Sequence, residues 1–185
     1  MKPLVFSLFV LLHCTTTNAQ DRLLTRNGSI SFYSKTPLED IKANTQTAVS
    51  VLDKKTGQIE FSVLVKSFTF EKALMQEHFN EDYLESDKFP KSTFKGHIED
   101  LDKISFDKDG KYTVSVTGEL TVHGQSRTLT TPVTFTILKG ATLADAQFDI
   151  ALSDYKVAIP SLVKDKISKM VKIAVRLSYE AQARP

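Results

Sequence analysis

Three neutral imidazoles are enough to build a catalytic zinc centre, so His78, His97 and His123 are the first side chains to weigh in this 185-residue chain. Their placement speaks against such a centre. No two of them have the short ligand spacing of a metal motif, no cysteine adjoins them, and they fall in one helical and two separate strand patterns. His97 and His123 sit on the polar sides of their strand patterns and are expected to be solvated. His78 reads as a capping or packing residue, or as a donor to a ligand head group. Acid-base chemistry needs carboxylates held in a pocket, and Glu77, Glu81, Asp82, Glu85 and Asp87 do crowd one segment. With Lys88 and Lys91 beside them they read instead as a solvated face. Gly-x-Ser-x-Gly, phosphate-loop and zinc motifs are absent from the sequence. The expectation is a protein without catalysis, metal or resident cofactor.

What the sequence has in quantity is patterned apolar surface. From Lys111 to Leu138, Val114, Val116, Gly118, Leu120 and Val122 alternate with Thr113, Ser115, Thr117, Glu119, Thr121 and His123. Period two with one dry and one wet side is a strand signature. His123-Gly124-Gln125-Ser126 supplies a glycine where a two-residue hairpin loop needs positive φ, and alternation resumes through Val133, Phe135 and Ile137. The spacing predicts one long antiparallel hairpin. Pro132 lacks a ladder donor and belongs at a bulge, an end or an unpaired edge position.

Residues 1–19 read as a targeting segment: Lys2 gives charge, Leu4 to Leu12 an apolar core, and Thr17-Asn18-Ala19 a small-residue cleavage site. The apolar core is too short for a stable span, so an exported mature chain beginning at Gln20, periplasmic or secreted, is expected. Cys14 follows Leu12 and His13 rather than small residues, so lipid attachment is not expected. Losing this segment removes the single cysteine, leaving no disulfide to staple the fold. The remainder, 20–185, is of a length that suits one domain. Its 23 basic and 22 acidic side chains nearly cancel, and the basic stripe of a nucleic-acid binder is missing.

Alternation predicts further strands at Ser29 to Ser34, where Asn27-Gly28 reads as a preceding turn, at Ile41 to Leu52, at Gln58 to Phe70 and at Ser92 to Asp100, running on toward Phe106. Others follow at Ala146 to Leu152 and, most cleanly, at Val171 to Tyr179. Glu71 to Ser86 breaks this rhythm. Leu74, Met75, His78, Phe79 and Tyr83 recur at helical spacing, with Asn80 expected to cap a second short piece. A short helix capped by Ser161 is expected over Leu162 to Lys169. About eight strands, short turns and no βαβ rhythm give an all-β, eight-stranded antiparallel sheet. Several strands are long enough for a tall, tilted, closed barrel, which also removes exposed edges.

Glu77-His78-Phe79-Asn80-Glu81-Asp82-Tyr83-Leu84-Glu85-Ser86-Asp87-Lys88-Phe89-Pro90-Lys91-Ser92-Thr93-Phe94, followed by Gly118-Glu119-Leu120-Thr121-Val122-His123-Gly124, resembles the bacterial YceI-like family. The likeness in spacing runs from about Ile30 to Tyr179. It implies a lipocalin-like barrel, periplasmic or secreted, that carries an isoprenoid or similar lipid rather than catalysing a reaction. The chain departs from the commoner family pattern at Arg26-Asn27-Gly28-Ser29, where many members have aspartate, histidine and serine.

If the apolar sides face inward, Phe61, Val63, Phe94, Val116, Leu120, Phe135, Phe148, Ile150 and Val175 line a common interior. An eight-stranded lumen can be filled by side chains or hold one slim ligand, and the pattern alone leaves both open. The family likeness favours a tunnel for an isoprenoid, isoprenoid quinone or fatty-acyl chain. Met75, His78, Phe79 and Tyr83 are nominated as its mouth or lid. The alternatives are an envelope interaction module with a solid barrel and, more remotely, an enzyme. Oligomeric state stays open, a dimer included.

Overall fold

The computed structural model describes residues 21–181; the expected targeting segment 1–19 lies outside the described residues. The strands are β1 (Arg22–Lys35), β2 (Asp40–Asp53), β3 (Gln58–Leu64), β4 (Thr69–Phe70), β5 (Lys91–Ile98), β6 (Gly110–Val122), β7 (Gln125–Leu138), β8 (Ala141–Ala151) and β9 (Met170–Ala181), with one helix, α1 (Ala73–His78). All pairings are antiparallel. The order β1-β9-β8-β7-β6-β5-β3-β2 is closed by β1 pairing with β2, and the two-residue β4 is added beside β2. The molecule is a closed eight-stranded barrel with one extra strand.

Local chemistry explains the connections. His123 (φ 49) and Gly124 (φ 67) form the two-residue loop between paired Val122 and Gln125, as primed hairpin turns require. On the outer face Thr113 meets Thr134, Thr117 meets Thr130 and Thr121 meets Ser126 at 2.8–3.0 Å, which pins the β6–β7 register. Pro132 is exposed where the β7–β8 ladder, which begins at Val133, has not yet started. Asp53 Oδ1 accepts the Lys55 and Thr56 amides and so fixes the β2–β3 turn.

The two ends of the barrel differ. At one end the connections are short or tightly packed, and a buried cluster including Leu52, Ile98, Val116, Phe135, Ile137 and Tyr179 fills the lumen. At the other end lie the β1–β2 turn, the β6–β7 turn, α1 with its flanking turns, and the β8–β9 connection.

Several expectations from the sequence are corrected. β1 begins at Arg22, and Gly28 is inside it, at an irregularity between Thr25 and Ile30. A Cβ on Gly28 would stand 2.6 Å from Leu177 Cδ2 and 3.0 Å from the Ala48 carbonyl oxygen. Close approach of strands, not a turn, requires glycine there. The run from Gln58 to Phe70 is not one strand: it stops at Leu64, and a tight turn at Val65–Ser67 swings the chain over the barrel end into β4. Asn80 caps no second helix. Phe79–Tyr83 is a wide turn closed by the Leu84 amide donating to the Phe79 carbonyl oxygen at 3.0 Å, and Asn80 Nδ2 donates back to Gln76. The strand at β5 ends at Ile98, with a turn at Leu101–Lys103 before β6. The helix expected at 162–169 is only a single turn, Ser161–Val163, without a side-chain cap. Val163 and Ile167 face the lumen, and the Ser168 amide donates to Ser34 Oγ at 2.9 Å, so this segment follows the wall instead of coiling.

Candidate functional site

The lumen is not filled throughout. A cavity of about 410 Å³ occupies the open end, and a smaller one of about 90 Å³ lies deeper, above the packed plug. Phe61, Leu120, Phe148 and Val175 border both, so they form the narrowing between an outer and an inner chamber. Register builds this narrowing. Phe61 pairs with Phe94 and Phe94 with Leu120, which puts three inward side chains in one row across β3, β5 and β6.

Six of the nine side chains read from sequence as lumen residues, Phe61, Val63, Leu120, Phe148, Ile150 and Val175, line the outer chamber. Phe94, Val116 and Phe135 border only the inner one, where Val116 and Phe135 belong to the plug. Met75, His78, Phe79 and Tyr83 all line the outer chamber from the lid side. Phe79 is seated in a nest of rings, 5.3 Å from Phe32, 5.0 Å from Phe70 and 5.8 Å from Phe68 between centroids. These ring pairs hold the segment across the barrel end. Burial pushes the Tyr83 phenol above its usual range.

Phe32, Phe68, Phe70 and Ile173 also line the outer chamber, beyond the residues expected from the sequence. Phe32 and Ile173 lie on the apolar sides already visible in β1 and β9. Phe68 and Phe70 have no such signal, because the turn at Val65–Ser67 resets which side faces inward.

The apolar wall carries few polar side chains: Ser34, Glu39, Lys72, His78 and Lys166 at the mouth, Tyr83 on the lid side and Ser92 at the start of β5. Lys72 Nζ donates to Glu39 Oε1 at 2.9 Å and holds that carboxyl below the usual carboxylate range, with Lys166 adding a smaller pull. Deeper in, polarity is internally satisfied. Ser50 Oγ donates to the Glu60 carbonyl oxygen at 2.9 Å and accepts from Tyr179 Oη at 2.8 Å. Burial pushes the Tyr179 phenol up to about 12.

The three histidines are not brought together. His97 faces Glu99 at 3.7 Å on the outer surface, and His78 lines the cavity. His123 is neither solvated nor on a polar strand face: it is buried, with Nδ1 3.1 Å from the Tyr155 carbonyl oxygen and Nε2 2.7 Å from Glu85 Oε2. Its left-handed backbone in the turn rotates it out of the alternation that placed it outside. Among the described residues no group of three or more His, Cys, Asp or Glu is placed to hold a metal, and no helix is long and apolar enough to cross a membrane.

Solved structures share this fold. A polyisoprenoid-binding domain from Saccharophagus degradans superposes with a TM-score of 0.77 at 15% identity, over 88% of this chain and 99% of its own. Burkholderia cenocepacia BcnA gives 0.67 at 19% identity, over 83% and 96%. A Campylobacter jejuni YceI protein gives 0.54 at 16% identity, over all of both chains. No curated protein matches the chain significantly. The family model for the YceI-like domain matches residues 22–179, nearly the whole barrel, and the chain belongs to that family.

Proposed function

We propose that the chain is an exported lipid carrier that holds a long apolar chain, of isoprenoid, isoprenoid quinone or fatty-acyl type, in the outer chamber of its barrel. The observation that carries this reading is the 410 Å³ cavity with its almost wholly apolar wall. A bound hydrocarbon gains roughly 0.8 kcal/mol for each buried CH₂, so ten carbons inside offer about 8 kcal/mol before the losses of motion on binding. The polyisoprenoid-binding neighbour with the same fold supports the same ligand class.

The mechanism is burial and release without bond-making. The apolar walls exclude water, the polar groups at the mouth meet the head group, and the segment from α1 to Tyr83 covers the opening. Met75 supplies an adaptable contact to a flexible tail. The carrier works after removal of residues 1–19, in the periplasm or outside the cell, and does so without a catalytic group or a resident cofactor. Purified protein, extracted with organic solvent and analysed by mass spectrometry, is expected to release one lipid species at a stoichiometry near one per chain. Extracts that contain only sub-stoichiometric, mixed background lipid would refute the carrier reading.

A further inference from the structure

Six of the eight large apolar side chains left exposed among the described residues are at the open end of the barrel: Tyr33, Leu38, Leu64, Leu74, Leu162 and Met170. Leu162 is the extreme case, 92% exposed at the tip of the turn Ser161–Val163. Its neighbour Val163 turns into the outer chamber, as do Lys166 and Ile167. The segment is anchored to the end of β1 through the Ser168 amide and Ser34 Oγ, which brings it beside the β1–β2 turn carrying Leu38, 66% exposed.

Charge divides this rim in two. From Pro160 to Lys172 there are four lysines, Lys164, Lys166, Lys169 and Lys172, against the single carboxylate of Asp165. Among the described ion pairs none engages Lys164, Lys169 or Lys172. Across the mouth, residues 71–87 carry six carboxylates and one lysine. An exposed leucine at a loop tip flanked by unpaired lysines has the make-up of an interfacial anchor: the apolar tip enters the acyl boundary while the ammonium groups meet anionic head groups. The acidic segment opposite would be repelled from the same surface and left facing water.

Resting on the carrier reading, we infer that the arc from Ser161 to Lys172, together with Leu38, docks on an anionic lipid bilayer. That orientation sets the open end of the barrel against the source or destination of its cargo. A lipid leaving the bilayer then enters between the docked arc and the lid without crossing bulk water.

The test uses vesicles of phosphatidylcholine with and without phosphatidylglycerol, and three proteins. These are the wild type, a rim variant (Leu162→Asp, Lys164→Glu, Lys169→Glu) and a far-end control (Leu138→Asp, Lys139→Glu). None of the substituted residues lines either chamber. The wild type and the control are expected to sediment with phosphatidylglycerol vesicles and to be released by salt. The rim variant is expected to bind about tenfold or more weakly while retaining the wild-type melting temperature and extractable lipid. Absence of wild-type binding to either vesicle, as docking to a protein receptor would give, overturns the inference. Equal binding by wild type and rim variant, or equal loss in the control, does so too. Should the vesicle pattern hold while no protein yields extractable lipid, docking stands and the carrier reading falls.

Discussion

His123 Nε2 lies 2.7 Å from Glu85 Oε2 while Nδ1 of the same ring lies 3.1 Å from the Tyr155 carbonyl oxygen. Both partners are oxygen acceptors, so the ring spans a carboxylate at one nitrogen and a backbone carbonyl at the other. The bonds tie together three segments of the open end: the β6–β7 turn, the end of the lid segment and the turn that follows β8. Phe89 packs edge-on against the ring at 4.7 Å. Glu85 (φ 42), His123 (φ 49) and Lys156 (φ 53) are three of the four described non-glycine residues with positive φ. Costly left-handed backbone is therefore concentrated at this junction, where the surrounding bonds hold it in place.

Replacing His123 by alanine removes both bonds and leaves a buried carbonyl group unpaired. The expected loss is roughly 1–3 kcal/mol in denaturant unfolding, with faster amide exchange over the lid, residues 79–86. His123→Asn, which tolerates the left-handed backbone, is expected to cost less than His123→Val. Unchanged lid exchange in His123→Ala would show that the lid is held by its phenylalanines alone.

Acid should loosen the same junction. The hydrogen bond from His123 holds Glu85 below its ordinary value of 4.5, the Thr56 amide holds Asp53 below 3.8, and Lys72 holds Glu39 below 4.5. A carboxylate whose value is lowered by folding stabilises the protein above its unfolded value and loses that contribution as pH falls through the folded value. Melting temperature is thus expected to be level as pH falls from neutral toward 5, as far as these groups are concerned, and to drop below about 4. Glu85→Gln should start lower at neutral pH and show a shallower acid slope. A slope identical to wild type would remove Glu85 from the set.

The β6–β7 hairpin and β9 were legible in the sequence because each has a wet outer face and a dry inner one, and alternation reports that asymmetry directly. The barrel followed from strand number and length. What alternation cannot report is height along the barrel. Phe135 and Phe148 look equivalent in sequence, yet register puts Phe135 in the plug and Phe148 at the narrowing. Nor does parity survive a turn. The alternation of β6 puts His123 on the wet side, but the turn buries it, and Phe68 continues the pattern of a strand that the chain leaves at Leu64. Gly28 carried a turn signal with Asn27, and only the neighbouring Leu177 and Ala48 show that it serves close strand packing.

Gly96 and Gly118 face each other across β5 and β6, and the Phe94 ring lies over both. A Cβ on Gly118 would clash with the Lys95 carbonyl oxygen and stand 2.5 Å from Gly96 Cα and 2.6 Å from Phe94 Cζ; one on Gly96 would meet Phe94 Cζ at 2.6 Å. The pair lets the ring lie flat along the wall and leaves the inner chamber open. Gly118→Ala is expected to destabilise by about 1–3 kcal/mol through backbone displacement. Gly118→Ala in a Phe94→Leu background should recover a minor part of that loss, since the ring is one of three close contacts and the other two are backbone atoms. Equal cost in both backgrounds would place the whole conflict on the backbone.

Chain length of the cargo should respond to the narrowing. Phe148 stands between the chambers of about 410 and 90 Å³, opposite the Phe61, Phe94 and Leu120 row. Phe148→Ala deletes the ring that separates them and, facing empty space on one side, is expected to cost about 3 kcal/mol, the lower end for such a truncation. The merged chamber admits a longer tail, so lipid recovered from this variant should be shifted toward longer chains than wild type produced in the same cells. Val175→Phe, on β9 where the side chain borders both chambers, narrows the passage and should shift recovered lipid toward shorter chains. The two opposite shifts distinguish a depth limit from general disturbance of the barrel, which would lower occupancy in both without changing length. Unaltered chain length in both variants would mean that the cargo stops short of the narrowing and is measured at the mouth instead.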